Sequence, residues 1–209
     1  PELPRLVFDG NDAADPDANI LLRELIDAAT IDGKPPVAPM AWLGDAIAIK
    51  DPTVAAFRRQ GGTNLLIVGQ REDLATSILS MATVSLAAGS DPYPGGAVGK
   101  PSRFVLFEPA IAEEHPETML SKLTEFLPHE IEVVSRLGVA DAFGDLAAEV
   151  QRRLDEQILD AESVFVIIRD LARFREIRRN ENDFGFSMSG EQEASPAQQL
   201  VTILKDGPT

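Results

Sequence analysis

The sequence predicts an α/β fold, a three-layer sandwich around a mainly parallel sheet. Short strand-like runs at 64–69, 104–107, 130–134 and 163–168 alternate with helical segments. This alternation is typical of βαβ units, whose crossovers are right-handed. Several of the runs are continuously apolar, as in strands that are buried on both faces. With 209 residues the chain is long enough to bury a large core.

The elements follow one another in a regular order. Residues 1–40 are predicted to form an approach arm with one helix, because Asp15–Asp17 offers an N-cap before an apolar face from Ile20 to Ile26. A single domain is predicted over 41–209, with an edge strand at 46–49. Its helices are predicted at 72–88, 117–126, 141–159 and 196–204, with a basic helix starting at Asp170.

Composition excludes several classes of function. The chain has no cysteine, which excludes disulfides, thiolate metal sites and a cysteine nucleophile, and its two histidines exclude a histidine-rich metal site. No apolar stretch approaches the roughly 20 residues that span a bilayer, so we expect no membrane insertion and a cytoplasmic location. The net charge of −15 argues against indiscriminate nucleic-acid binding but permits a local basic strip.

The first candidate site follows the run at 64–69. A strand, a glycine and a helix are the context of a phosphate-binding P-loop, in which Gly69 takes the first glycine position and Thr76 the hydroxyl position. Leu74 and Ala75 replace the second glycine and the lysine that such a loop needs. The candidate nucleotide-binding residues are Gly69, Gln70, Arg71, Thr76 and Ser77. The alternative is a simple strand-to-helix turn in which acidic residues favour the helix N-terminus.

The second candidate site follows the run at 163–168. Four apolar residues before an acid resemble a Walker B strand, which holds Mg²⁺ through an aspartate. Arg169 replaces that aspartate, and Asp170 falls where motors of this kind place the residue that activates water. Asp170 is therefore the candidate catalytic residue and, with Thr76, the candidate metal ligand. Alternatively, Asp170 is only the first residue of a helix, stabilised by the helix dipole.

Arginines after this strand form the one basic concentration in the acidic chain. Arg173, Arg175, Arg178 and Arg179 are candidates for contacting phosphate, either on a DNA backbone or on the nucleotide of a neighbouring subunit. The alternative is a solvated helix face.

Four stretches carry a family resemblance. Residues 52–70, which end in Thr63–Gln70, resemble the entry to the nucleotide-binding core of FtsK/HerA-type P-loop motor ATPases. Trp42–Gly44 and the run at 46–49 are similar to the short strand pair that precedes this core in the family. Phe165–Ile168 with Leu171–Arg178 looks like the Walker B strand and the helix after it, and Leu3–Asn11 like a linker.

The resemblance implies a module of a DNA-translocating ATPase with ATP and Mg²⁺ as cofactors. It also implies that the partners are DNA and upstream ATPase modules of the same polypeptide, and that the full protein assembles as a ring homo-oligomer. Because Leu74, Ala75 and Arg169 depart from the family pattern, we expect weak or no hydrolysis at this site. The alternatives are an ATPase completed by neighbouring subunits and a protein-recruiting module, as in secretion-type relatives.

The resemblance also implies a sheet without one core strand. The chain begins at Pro1 and closes on a turn signal, Lys205–Thr209, so we expect a piece of a longer polypeptide. In the family a further strand lies between the P-loop strand and the Walker B strand. That strand would follow Thr209, and we expect its absence to leave either a gap in the sheet or a disturbed sheet.

Overall fold

A computed structural model describes residues 13–28, 36–44, 51–95, 100–109, 119–178 and 194–209. Its helices are Ile20–Ala28 (α1), Glu72–Ala88 (α2), Met119–Phe126 (α3), Val139–Asp155 (α4) and Pro196–Asp206 (α5). Its strands are Met40–Trp42 (β1), Val54–Ala56 (β2), Ser102–Phe107 (β3), Glu130–Val134 (β4) and Ser163–Ile168 (β5). The predicted α/β class is confirmed, whereas the predicted strand at 46–49 lies outside the described residues.

The main sheet is parallel and has the strand order β4-β3-β5. Phe104 of β3 lies opposite Ile131 of β4 on one side and Phe165 of β5 on the other. The middle strand β3 is almost wholly buried, as a continuous apolar run between two neighbours predicts. The short strands β1 and β2 form a separate antiparallel pair.

Helices cover both faces of this sheet, which gives it the layering of an α/β sandwich. On one face, Phe107 stacks on Phe143 of α4 with ring centroids 4.6 Å apart, and Ile203 of α5 joins the same cluster. On the other face, Phe104 packs with Leu86 of α2. These helices therefore shield both sides of the strands from water, and their apolar faces supply the core.

The helix of the predicted arm packs against the rest of the fold. Asn19 accepts a hydrogen bond from the backbone N–H of Leu22 (2.9 Å) and so caps the first turn of α1. Leu22 and Leu25 then form a buried cluster with Trp42 of β1 and Met81 of α2. This cluster fixes α1 onto the helix that follows the predicted P-loop.

The predicted strand at 64–69 is absent, and this expectation was wrong. The stretch has no ladder partner among the described residues, and Leu65, Leu66 and Val68 are exposed. An apolar run predicts a buried strand only if a neighbour supplies hydrogen bonds and cover. Among the described residues β5 is paired with β3 and not with this run.

The predicted basic helix after Asp170 is also absent. Two 3₁₀ turns, Leu171–Arg173 and Arg175–Ile177, occupy this stretch. Asp170 adopts the left-handed conformation (φ 54°, ψ 57°) and Phe174 is extended, so helical geometry is interrupted at both positions. Burial of Phe174 in the core overrides the helical pattern of the sequence.

Candidate functional site

The carboxyl ends of the three parallel strands bring charged residues together at one edge of the sheet. Glu108 follows β3, and its backbone N–H donates to the carbonyl of Val134 at the end of β4 (3.1 Å). Arg169 follows β5, and its backbone N–H donates to the carbonyl of Phe107 at the end of β3 (3.0 Å). In parallel α/β sheets this edge is where ligands bind. We call it the carboxyl edge.

A buried ion pair lies at the centre of the carboxyl edge. The Arg169 Nε atom is 3.5 Å from Glu108 Oε1, and both side chains are largely buried. Sequence reasoning missed Glu108, although an acidic residue directly after the strand at 104–107 was a visible signal. Arg169 therefore places a paired guanidinium where a Walker B strand would carry the magnesium aspartate.

Arg173 joins the two predicted motif regions. Its Nη2 atom is 3.2 Å from Glu72 Oε1 at the start of α2, and its Nε atom contacts the Asp170 carboxylate. The start of α2 and the end of β5 therefore lie close together at the carboxyl edge. The carboxylate of Asp170, the candidate catalytic and metal residue, is already engaged by an internal cation.

In the structure the predicted P-loop is an exposed stretch that leads into α2. Gly69 has no positive φ, and a Cβ added there would meet nothing within 4 Å, so nothing local requires glycine. Gln70 is exposed. Arg71 forms two hydrogen bonds with Asp73 (2.9 and 2.5 Å), and this contact lowers the pKa of Asp73 to about 2. An anionic Asp73 stabilises the positive end of α2, as the simpler alternative predicts.

The two hydroxyl residues of the predicted loop lie within α2. Thr76 is half-buried there. The Ser77 hydroxyl donates to the carbonyl of Ala14 (3.0 Å), in the stretch before α1. Ser77 therefore ties α2 to the arm.

The arginines after β5 differ in the hydrogen bonds and ion pairs that their side chains form. Arg178 donates through Nη2 to the carbonyl of Ala172 (2.9 Å), and Arg173 is engaged as described above. Arg175 is exposed and has no ion-pair partner in the part of the chain that the structure describes. Arg179 lies outside the described residues. Arg136, which follows β4, adds a cation nearby and is paired with Glu176 at 3.5 Å.

Buried polar groups also collect at the opposite edge, around the start of β3. The hydroxyls of Ser90 and Ser102 are 2.7 Å apart, and His129 Nε2 lies 3.3 Å from the carbonyl of Ser90. Burial lowers the pKa of His129 below its ordinary value of 6.5. His129 contacts the edge of the Phe104 ring, with centroids 5.5 Å apart. The serine hydroxyls contact each other, and His129 contacts a carbonyl, so this cluster does not have the serine–histidine hydrogen bond of a nucleophile and its base.

Within the described residues there is no cluster of metal ligands and no membrane-spanning helix. No group of three or more potential metal ligands occurs within the described ranges. A cleft of about 610 Å³ between α4 and the start of α5 is lined by Asp141, Asp145 and Gln199 among others, and by none of the predicted site residues. None of the described helices is long and apolar enough to cross a bilayer.

The comparisons with known proteins were negative. No family model, no curated protein and no solved structure matches this chain.

Proposed function

We propose that this chain is a nucleotide-binding-fold module of an FtsK/HerA-like DNA-translocating ATPase that does not hydrolyse ATP at its own site. The observation that carries the proposal is the position of Arg173, which contacts Glu72 at the start of α2 and Asp170 at the end of β5. These are the two ends between which Mg·ATP is held in P-loop proteins. In this proposal the ion pairs of Arg173, which we call the bridge, occupy the position of the nucleotide.

The charges around the bridge support weak nucleotide binding. Mg²⁺ prefers carboxylate oxygens, and the Asp170 carboxylate is engaged by a guanidinium. A second cation, Arg169, takes the position of the magnesium aspartate. Glu72 and Asp73 place negative charge where the β- and γ-phosphates would lie, and Ala75 supplies no compensating cation.

In this proposal the module acts beside catalytic modules of the same polypeptide within a ring, and its arginines face a phosphate of DNA or of a neighbouring nucleotide. A non-hydrolysing site leaves the module a structural or regulatory role. The carboxyl edge supports the placement, because Arg136, Arg173, Arg175 and Arg178 all lie after the carboxyl ends of parallel strands.

Calorimetric titration with Mg·ATP tests the nucleotide part. We expect affinity no tighter than roughly millimolar, about −4 kcal/mol. The Leu74→Gly/Ala75→Lys double variant should bind more tightly, because it restores the missing glycine and lysine. Arg23→Ala, which changes an exposed arginine of α1 outside the carboxyl edge, is the matched control and should leave the affinity unchanged. Micromolar binding by the unmodified chain would contradict the proposal.

ATP turnover in the presence of duplex DNA tests the rival activity. A working ATPase completed by neighbouring subunits predicts turnover that rises with protein concentration and is abolished by Asp170→Asn. We expect no turnover above background at any concentration. Turnover that depends on Asp170 would show that the bridge opens and that the site is catalytic.

A further inference from the structure

The guanidinium of Arg173 is shared between two carboxylates. Its Nε atom contacts Asp170, and its Nη2 atom is 3.2 Å from Glu72 Oε1. A guanidinium binds an anion with paired N–H groups, either along its Nε–Nη2 side or across its Nη1–Nη2 end. Because Asp170 takes Nε, the Nη1–Nη2 end is the paired face that remains for another anion. Glu72 occupies one of the two nitrogens of that face.

The contact with Asp170 is local and keeps Arg173 at the carboxyl edge. The two residues belong to the same turn, in which the backbone N–H of Arg173 donates to the carbonyl of Asp170 (2.9 Å). Asp170 adopts the left-handed conformation, which aspartate tolerates better than most residues. The next residue, Phe174, is buried in the core. The position of Arg173 therefore does not depend on Glu72.

Glu72 reaches Arg173 from a distant part of the chain. It is the first residue of α2, 101 positions before Arg173, and its side chain is 68% exposed. Its neighbours Arg71 and Asp73 pair with each other, so Arg173 is the one ion-pair partner that the described residues supply to Glu72. An exposed side chain can turn into solvent without disturbing the core that holds α2.

A phosphate group competes with Glu72 for the same face of Arg173. Exposed ion pairs contribute little to stability, whereas a guanidinium binds phosphate through charge-assisted, paired hydrogen bonds. The Glu72 carboxylate also repels a phosphate that approaches this face. Neither Arg175 nor Arg178 has an acidic partner among the described residues, so Arg173 is the arginine of this stretch whose charge the chain itself neutralises.

We propose that Glu72 is an autoinhibitory residue that weakens the binding of DNA at the carboxyl edge. Its carboxylate covers the remaining face of Arg173, and a backbone phosphate of DNA takes its place when it turns away. Asp170 stays on the Nε side and orients the guanidinium. The autoinhibitory contact rests on the proposed function, because it assumes that DNA meets the carboxyl edge, and it adds the group that limits this binding.

Titration of a short labelled DNA duplex with the full chain, followed by fluorescence anisotropy at several salt concentrations, tests the proposal. Glu72→Gln keeps the length of the side chain and removes its charge. It should bind DNA about three- to fivefold more tightly at low salt. The slope of log K against log salt concentration should become steeper by about 0.9, the change for one further phosphate contact. Glu24→Gln, at an exposed residue of α1, is the matched control and should change neither quantity.

A double-mutant cycle with Arg173→Gln separates release of the arginine from a general effect of charge. Removal of any negative charge near DNA favours binding, whether or not an arginine is released. If Glu72 acts by covering Arg173, Glu72→Gln should increase DNA affinity in the unmodified chain and should not do so in the Arg173→Gln chain. Both side chains are exposed, so urea unfolding should give nearly the same midpoint for all the variants.

Two results would overturn the proposal. One is DNA binding by Glu72→Gln that does not exceed that of the unmodified chain, which includes the absence of binding by both. The other is an equal gain with and without Arg173. The proposed function fails separately: micromolar Mg·ATP binding would contradict it and leave the gain that depends on Arg173 intact. Loss of that gain, with DNA binding that still depends on Arg175 and Arg178, would overturn the autoinhibitory contact alone.

Discussion

Replacing Phe174 by alanine should destabilise the protein much more than removing the arginines around it. Phe174 is 1% exposed and lies between the two 3₁₀ turns that carry these arginines. Its ring meets the ring of Phe107 edge to face, with centroids 6.3 Å apart and planes at 89°. This contact anchors the stretch after β5 to the sheet, so the geometry of the carboxyl edge depends on it.

The expected loss follows from the burial of the ring. Truncating a buried phenylalanine to alanine costs about 3–5 kcal/mol, of which an aromatic pair supplies about 0.5–1.5 kcal/mol. The surrounding turns lie at the surface and can collapse partly into the cavity. We therefore expect the lower part of this range, about 3 kcal/mol of unfolding free energy. For a chain of this size that corresponds to a fall in Tm of about 6–12 °C.

Urea unfolding followed by circular dichroism measures this change. The midpoint should fall while the m-value stays constant, because the surface exposed on unfolding is nearly the same. Leu171→Ala is the control, since this neighbouring side chain is 41% exposed and should cost below about 1 kcal/mol. A loss under about 1 kcal/mol for Phe174→Ala would show that the turns are not anchored to the core, and the described carboxyl edge would then be wrong.

Three further predictions follow. Replacing Arg175, Arg178 and Arg179 by alanine should weaken binding to duplex DNA and flatten its salt dependence, as titrations at several salt concentrations would show. Tm should not move, because Arg175 and Arg178 are exposed and such side chains contribute little stability, whereas lost stability with unaltered DNA binding would make them packing residues. Burial lowers the pKa of His129, so as pH falls below 6.5 the unfolded chain binds more protons than the folded one, and the free energy of unfolding should decline. Urea unfolding at several pH values measures this decline, which should disappear in His129→Gln. Hydrogen bonds from the two arginines near the end of α4 lower the pKa of Glu149 to about 2. The contribution of Glu149 to the free energy of unfolding should therefore be fully present above the ordinary pKa of 4.5 and be lost as pH falls toward 2. Acid unfolding of Glu149→Gln should lack this pH-dependent loss, and acid unfolding curves identical to those of the unmodified chain would refute the pairing.

Local sequence patterns were sufficient where one segment carries its own signal. The helix at 72–88 and the strands at 130–134 and 163–168 lie where the sequence predicts them. Helical periodicity and continuous apolar runs reflect burial, and burial in an α/β fold repeats regularly along the chain. The sequence also predicted that charged residues would gather after β5, since parallel strands end at a common edge.

Tertiary structure alone decided the features that depend on partners distant in the sequence. The run at 64–69 has the composition of a strand, but a strand forms only with a neighbour, and no described residue supplies one. The stretch after Asp170 has a helical pattern, but the Phe174 ring is drawn into the core and breaks it into two turns. Local propensity is worth tenths of a kcal/mol per residue, whereas burying an aromatic ring is worth several kcal/mol.

The same distinction holds for the candidate site. Sequence identified Asp170 and Arg173 as chemically important positions, and it identified Arg169 as a departure from the motif. It did not reveal that Arg169 pairs with Glu108 or that Arg173 also reaches Glu72, because these ion pairs join residues that are 61 and 101 positions apart (169 − 108 and 173 − 72). Only the parallel alignment of β3 with β5, together with the position of α2, brings these charges within contact distance, and this proximity determines which carboxylates remain available to a ligand.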